Sequence, residues 1–238
     1  MAAHLTDRIG YPVILYRGQL MAEANEPERR HIKDLSVGAL ARKRILRLLS
    51  DPAYIVRVAR YALGLRTALH TEDRRILEQV IFPYYANRND MHTVLFVGCQ
   101  WYTRQYEKTY FPRQTFWTIE PLRDARRYGA SHHVVAPLES LADFFPEETF
   151  DLIICNGVYG WGLDSRVHCD AAFAQCHSRL RRGGHFVLGW NDTPELAPVP
   201  PEHIASFGLF RRVNFPEFST WRFVTQIEQR HVFDFYCK

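Results

Sequence analysis

Gly98 and Glu120 each close a short apolar run: Gly98 follows Val94–Val97, and Glu120 follows Thr115–Ile119. A carboxylate at the carboxyl end of a strand can accept hydrogen bonds from two sugar hydroxyls at once. A glycine in the turn lets the backbone approach a ligand where a side chain would collide. Between them Gly98-Cys99-Gln100-Trp101-Tyr102 turns into a helical-looking stretch, residues 103–108, whose first N–H groups would face an anionic group. Strand, glycine turn, helix, strand and acid make a βαβ unit of the kind that holds an adenosine-containing ligand.

A second group of candidates follows a third apolar run, Phe150–Cys155. The segment 156–163 reads NGVYGWGL, with three glycines, Tyr159 and Trp161. In an open α/β sheet, ligands sit beyond the carboxyl ends of the strands. Glycines and aromatics there could build a close-packed ring around an apolar or cationic molecule. Trp190-Asn191-Asp192 ends a further strand at the same edge, where Asp192 could orient a ligand or take its proton. His203, on a proline-rich loop, is a second candidate base. No metal site is expected. His168-Cys169 and Cys176-His177 share one face of a predicted helix, whereas structural sites draw tighter pairs from separate elements.

The elements that must position these residues alternate. Residues 94–97, 115–119, 133–136, 150–155 and 185–190 read as strands, and residues 103–108, 121–128 (short), 138–145 (a helix or its remnant) and 166–181 as the helices between them. That order predicts a parallel sheet wound on both faces. Residues 207–213 and 232–236 read as two further strands without a crossover helix, so a hairpin ending with an antiparallel last strand is expected. Gly183-Gly184 is expected to end the long helix through a left-handed cap.

Before Met91 the reading is helical. Ser36 caps a helix carrying Val37, Leu40, Ala41, Ile45, Leu48 and Leu49, and Asp51-Pro52 opens a second with Arg57, Arg60 and Arg66 among its apolar residues. That second helix either packs with solvated arginines or touches membrane or a lipidic substrate through 36–68. Thr71 caps a third, from Glu72 to about Pro83. Tyr11–Gly18 reads as a strand or extended arm, and Glu23–Lys33 as a polar surface helix or loop.

The chain has 238 residues, which suits one α/β domain of full size or a domain with an added cap, and a net charge of +4. Its five cysteines contain no CxxC pair, which points to buried reduced thiols and a cytoplasmic protein. No secretory signal and no apolar run of spanning length is read.

From about Asp90 to Lys238 the chain resembles class I S-adenosylmethionine-dependent methyltransferases. The resemblance rests on the βα steps, the acid ending strand two, Leu180-Arg181-Arg182-Gly183-Gly184 before strand five, and the terminal hairpin. It implies an α/β fold with a seven-stranded, mostly parallel, doubly wound sheet whose last strand is antiparallel, here with an N-terminal helical cap. The expected domains are 1–90, the helical extension, and 91–238, the Rossmann-like domain.

The resemblance also implies S-adenosylmethionine as cofactor, held by Gly98, Cys99, Gln100, Trp101, Tyr102, Glu120, Pro121, Leu138, Asn156 and Gly157. Tyr159, Trp161, Trp190 and Asn191 would line the acceptor, with Asp192, His203 and Tyr159 as catalytic candidates. A small-molecule acceptor, lipophilic or of natural-product type, is expected rather than nucleic acid, because the basic residues are scattered and no nucleic-acid motif is present. No oligomeric state follows.

Two positions depart from the family pattern. Trp101 and Tyr102 stand where a small, glycine-rich loop is usual, and Ala136-Pro137-Leu138 stands where an acid often meets adenine. The rival readings are a methyltransferase fold kept as a binding protein, and a nicotinamide-dependent oxidoreductase. The oxidoreductase would want Gly-x-Gly-x-x-Gly, of which only Gly98 is present.

Overall fold

The computed structural model describes residues 71–194, 196–197, 199–227 and 229–238. The expectations for Tyr11–Gly18, Glu23–Lys33 and the helices within 36–68 lie outside the described residues. The chain divides into two compact units, Met1–Thr67 and Ala68–Lys238.

The second unit opens with one helical stretch in three parts: α1 (Glu72–Ile76), a wider π-type turn (Leu77–Ile81) and α2 (Phe82–Ala86). The widening has a cause in the sequence. Pro83 has no N–H to give and its ring would press on the carbonyl four residues back, and an i→i−5 bond from Phe82 N to Leu77 O relieves that crowding. The helix therefore runs through Pro83 instead of stopping there. Leu77, Ile81, Phe82 and Tyr85 are fully buried, so this stretch completes the core of the second unit.

Eight strands form one sheet among the described residues. They are β1 (Thr93–Val97), β2 (Thr115–Ile119), β3 (His132–Val134), β4 (Phe150–Asn156), β5 (Leu180–Asn191), β6 (Arg211–Arg212), β7 (Arg222–Val224) and β8 (His231–Cys237). Their order is β3-β2-β1-β4-β5-β8-β6, with β7 also paired to β8. Strands β1 to β5 run parallel, and β8 lies antiparallel to β5 from His185↔Cys237 to Asn191↔His231. This is the expected doubly wound sheet with an antiparallel last strand. The sixth position differs from the expected single strand: β6 and β7 share the outer side of β8, separated by a turn closed between Phe215 and Thr220.

The two faces have separate cores. On one, the entry helical stretch packs Leu77 and Phe82, and Phe111 just after α3 (Tyr106–Tyr110), against Phe96, Ile154 and Phe233. On the other, α4 (Arg166–Arg179) packs Cys169, Phe173 and Cys176 against Ile153, Phe186 and Leu188. The central strand β4 is buried along its whole length, in keeping with its apolar run Leu152–Cys155. The segments after β2 and β3 are short 3-10 helices, Arg123–Tyr128 and Leu138–Asp143, where a short helix and a helix or its remnant were expected.

The glycine pair before β5 also has a different role from the expected helix cap. The helix already ends at Arg179, and Leu180 is extended. Gly183 adopts φ +71° inside β5, where the register against β4 jumps from Phe150↔Leu180 to Leu152↔His185. The left-handed residue thus makes a bulge, and the Gly183 N–H donates to the Lys238 carbonyl (3.1 Å), tying the chain's last residue to the bulge.

Phe82 meets the rings of Phe96, Tyr106, Tyr110 and Phe111 at centroid distances of 5.0 to 6.2 Å. Phe82→Ala is expected to cost about 3–5 kcal/mol in urea unfolding, the loss typical of a large aromatic removed from a core. A loss under about 1 kcal/mol would mean that α2 is an appendage and not part of this core.

Candidate functional site

The carboxyl edge of β1, β2 and β4 gathers most of the residues singled out in the sequence. Glu120 is partly buried, and its carboxylate spans two loops: it accepts from Cys99 N at 3.1 Å and from Leu122 N at 3.0 Å. Burial pushes its carboxyl upward, against the pull of those two N–H donors. Pro121 beside it is exposed, while Leu138 is buried at the start of the turn after β3.

Gly98 has φ +85°, a conformation L side chains rarely adopt. A Cβ at Gly98 would lie 2.6 Å from Val158 Cγ2, so a residue of the β4 loop occupies the space that the sequence reading reserved for a ligand. The following loop is braced internally. Gln100 N donates to Thr103 Oγ1 (3.0 Å), which itself donates to the Gln100 carbonyl (2.9 Å). Helix α3 begins only at Tyr106 and spans five residues, so no helix N-terminus faces the turn as the sequence suggested. Trp101 and Tyr102 are half-buried and pack edge to face at 5.2 Å. Cys99 is buried, with its thiol pushed up to about 12 by burial and by the neighbouring Glu120 charge.

Two residues that sequence reasoning missed complete the edge. Arg74 of α1 is only 6% exposed. Its guanidinium lies 4.6 Å from the Tyr102 ring centre, donates to the Tyr102 hydroxyl (3.3 Å) and sits 3.5 Å from Asp73. Burial works against its charge, and the neighbouring Tyr102, Tyr106 and Asp73 outweigh that and hold it protonated. His231, at the start of β8, is also buried, and burial pushes its imidazole down to about 4.

These two are joined through Asn156. The Asn156 amide lies 3.1 Å from His231 Nε2; with its nitrogen toward that ring, its oxygen accepts from Arg74 Nη1 (3.0 Å) and Nη2 (3.2 Å). His231 Nδ1 in turn is 2.6 Å from Asn191 Oδ1. A neutral imidazole protonated at Nδ1 satisfies every member, and the hydrogen bonds then run in one direction from Arg74 through Asn156 and from His231 to Asn191. The signal for Arg74 was present in the spacing: residues 74, 77, 78, 81, 82 and 85 form one buried helical face, which carries Arg74 and Glu78 among apolar residues. Glu78 accepts from the Tyr106 and Tyr110 hydroxyls. The partnership of Asn156 with His231 spans most of the domain and leaves no local pattern.

Other candidates point elsewhere. Tyr159 is buried on the α4 side, its ring 5.9 Å from Phe173 and 6.2 Å from Trp190, and its hydroxyl has no hydrogen-bond partner among the described residues. Trp190 shares that side and donates its indole N–H to Asp234 (3.0 Å). Trp161 is exposed in the loop, and Asp192 forms an exposed ion pair with Arg230 (3.1 Å). His203 is exposed at the end of a 3-10 turn, Pro201–His203. Gly157 stays at the edge, its N–H donating to the Gly189 carbonyl (3.0 Å). The structure therefore brings together Gly98, Cys99, Tyr102, Glu120, Asn156, Gly157 and Asn191, and turns Tyr159 and Trp190 to the opposite face. Among the described residues, no cluster of three or more His, Cys, Asp or Glu could hold a metal ion, and no helix is long and apolar enough to cross a membrane.

No family model and no curated protein matches the chain by sequence. Solved structures do match its fold. The N-methyltransferase NodS from Bradyrhizobium japonicum WM9 superposes with a TM-score of 0.51 over 70% of this chain and 96% of its own, at 17% identity. The chain has the class I methyltransferase fold. A TehB-like S-adenosylmethionine-dependent methyltransferase from Corynebacterium glutamicum agrees, with a TM-score of 0.50 over 79% of this chain and all of its own, at 16% identity. The expected parallel, doubly wound sheet and antiparallel last strand are those of this fold, and Glu120 and Gly98 lie at its carboxyl edge.

The buried imidazole gives a pH signature. Its folded pKa, about 4, lies below the ordinary 6.5, so the neutral form is favoured by folding. Its contribution is therefore complete above pH 6.5 and is lost as pH falls toward and through 4. Urea midpoints should fall over that window, and His231→Gln should flatten the fall. An unchanged slope in the variant would show that His231 is not held neutral in the fold.

Proposed function

We propose that this chain transfers a methyl group from S-adenosylmethionine to a small-molecule acceptor. The observation that carries this reading is the convergence of Glu120 and Arg74 on the carboxyl edge of a class I methyltransferase sheet. Glu120 is suited to the two ribose hydroxyls. Arg74, a buried guanidinium whose one described carboxylate neighbour within 4 Å is Asp73, is suited to the methionine carboxylate. The cofactor supplies an activated methyl on a sulfonium, so the protein's task is positioning, and neither a nucleophile nor a triad is needed. Asn156 and Asn191 would orient the acceptor, fixed by the neutral His231 between them. The cofactor contacts of Cys99, Gln100, Trp101, Tyr102, Pro121, Leu138 and Gly157 belong to the same proposal. So do acceptor contacts from Tyr159, Trp161 and Trp190, and proton transfer by Asp192, His203 or Tyr159. An N-terminal extension over residues 1–90 before a catalytic domain over 91–238, contact of 36–68 with membrane or a lipidic substrate, and a cytoplasmic location complete the reading.

A second reading, a methyltransferase fold retained for binding alone, is favoured by Val158. It packs into the space over Gly98, and Glu120 is satisfied by its own loops. Calorimetry with S-adenosylhomocysteine separates the two. One equivalent is expected to bind, and Glu120→Gln and Arg74→Met should each weaken binding about tenfold or more, because a hydrogen bond to a charged group is worth ~1.5–3 kcal/mol. No heat at millimolar ligand would sink the methyl-transfer reading.

A further inference from the structure

A cavity of about 220 Å³ lies at the amino end of β5, on the face covered by the entry helices. His185 lines it and pairs with Cys237, whereas Asn191 pairs with His231 at the far end of the same ladder, so the cavity stands roughly 20 Å along the strand from the carboxyl edge. Its polar lining is Tyr84, Tyr85, Arg88 and His185, and Val213 and Phe215 supply apolar wall. The rings of Tyr84, Tyr85 and Phe215 pack on one another at 4.6 to 6.0 Å. They form one side of the space, against which a ligand would lie.

The hydrogen bonds of this cluster have a fixed direction. Arg88 can only donate. Its Nε and Nη2 meet Asp90 at 2.9 and 2.6 Å, and its Nη1 gives to the Tyr84 hydroxyl at 3.2 Å and lies 3.5 Å from His185 Nε2. Burial, helped by the Arg88 charge, pushes the His185 imidazole down to about 4, so near neutral pH the ring carries one proton. A guanidinium N–H can face only the bare ring nitrogen, which puts that proton on Nδ1. Nδ1–H then donates to the Tyr85 hydroxyl oxygen at 3.3 Å. Both phenol oxygens are thus used as acceptors, and both O–H groups are left to donate. Neither has an acceptor among the described residues. Burial holds the Tyr85 phenol well above its ordinary range, so its proton stays in place.

We infer that this cavity binds a small monocarboxylate, which accepts from the Tyr84 and Tyr85 O–H groups and lays its apolar body on Val213 and Phe215. Two donors without an acceptor fit a ligand that only accepts, and a carboxylate brings two oxygens to meet them. The hydrogen bond that Tyr84 receives from a cation polarises its hydroxyl and strengthens it as a donor. The surrounding charge has the matching sign. Arg88 and Arg181 are answered by Asp90 and Asp151, whereas Arg211 has no carboxylate within ion-pair distance among the described residues. Arg211 pairs with Cys237, as His185 does, and so shares the face of His185, where its charge is felt by the imidazole. Asp90, on the outer side of Arg88, disfavours a doubly charged phosphate beside it. A volume below the roughly 300 Å³ at which drug-sized sites begin limits the body to a few carbons. The site does not depend on methyl transfer and uses none of the residues at the carboxyl edge.

Butyrate and its amide, butyramide, test this by nuclear magnetic resonance on the full chain carrying carbon-13-labelled histidine. The His185 ring signals, identified by their absence in His185→Gln, are the reporter. Butyrate is expected to shift them saturably, and butyramide should bind at least about tenfold more weakly, because hydrogen bonds to a charged acceptor are the stronger ones. Tyr84→Phe and Tyr85→Phe each remove one O–H and should each weaken butyrate about tenfold while changing butyramide little. Sodium chloride at the same ionic strength should leave the signals in place. The comparison of acid with amide uses the unaltered protein, so it holds however the variants fold. No saturable shift from butyrate, equal binding of acid and amide, a matching response to chloride, undiminished butyrate binding in both folded variants, or tighter binding of inorganic phosphate would each overturn the inference. S-adenosylhomocysteine binding in Tyr84→Phe should stay at the wild-type level, so a failure here is distinct from a failure of the methyl-transfer reading.

Discussion

A positive charge removed from water must be answered by the protein, and the charge on Arg74 is answered by four separate segments. Tyr102 comes from the loop after β1, Asn156 from the end of β4, and His231 and Asn191 stand behind Asn156 on β8 and β5. An uncompensated buried charge is costly, so the helix that carries Arg74 and the strand ends that answer it must be in place together. This couples the entry helix to the edge of the sheet more specifically than the apolar packing of Leu77 and Phe82 could. Apolar side chains fix distance, whereas a directed chain of hydrogen bonds also fixes which atom faces which.

The same coupling bears on the chemistry proposed for the edge. With its Nδ1–H given to Asn191 Oδ1, the neutral His231 has a bare Nε2 that takes the Asn156 amide nitrogen, which leaves the amide oxygen toward Arg74. Asn156 is thereby held in one of its two orientations by its neighbour at the edge, His231. Glu120 plays the corresponding part on the other side, joining the turns after β1 and β2 through two backbone N–H groups.

What the sequence disclosed was what depends on local pattern. The apolar run Leu152–Cys155 of β4, the acid closing β2 and the glycine closing β1 are each readable within a few residues, and the parallel, doubly wound sheet follows from the alternation of strands with helices. Pairings between distant residues are not local. Nothing near Asn156 announces His231, and nothing near Trp190 announces Asp234. The face taken by a loop residue is equally hidden. Tyr159 lies three residues past Asn156 yet packs against α4, because two left-handed glycines, Gly157 and Gly160, let the loop turn over the end of the sheet. Gly98 shows the limit of reading a motif: the glycine is required, as expected, but the atom that requires it is a methyl of Val158. Pro83 shows the converse, a breaker absorbed by widening one turn.

The margins of the sheet remain. One is β3, three residues long, and the other is divided between β6, of two residues, and β7, of three. A long flat margin would offer a row of unpaired N–H and C=O groups to any extended chain nearby, the usual template for aggregation. Here the break between β6 and β7 interrupts that row, and the arginines of β6 place like charges where a second copy would have to dock. By dividing its sixth strand the protein keeps β8 hydrogen-bonded along its outer side, through Val213 and Trp221 at Phe235, while presenting two short outer edges in place of one long one.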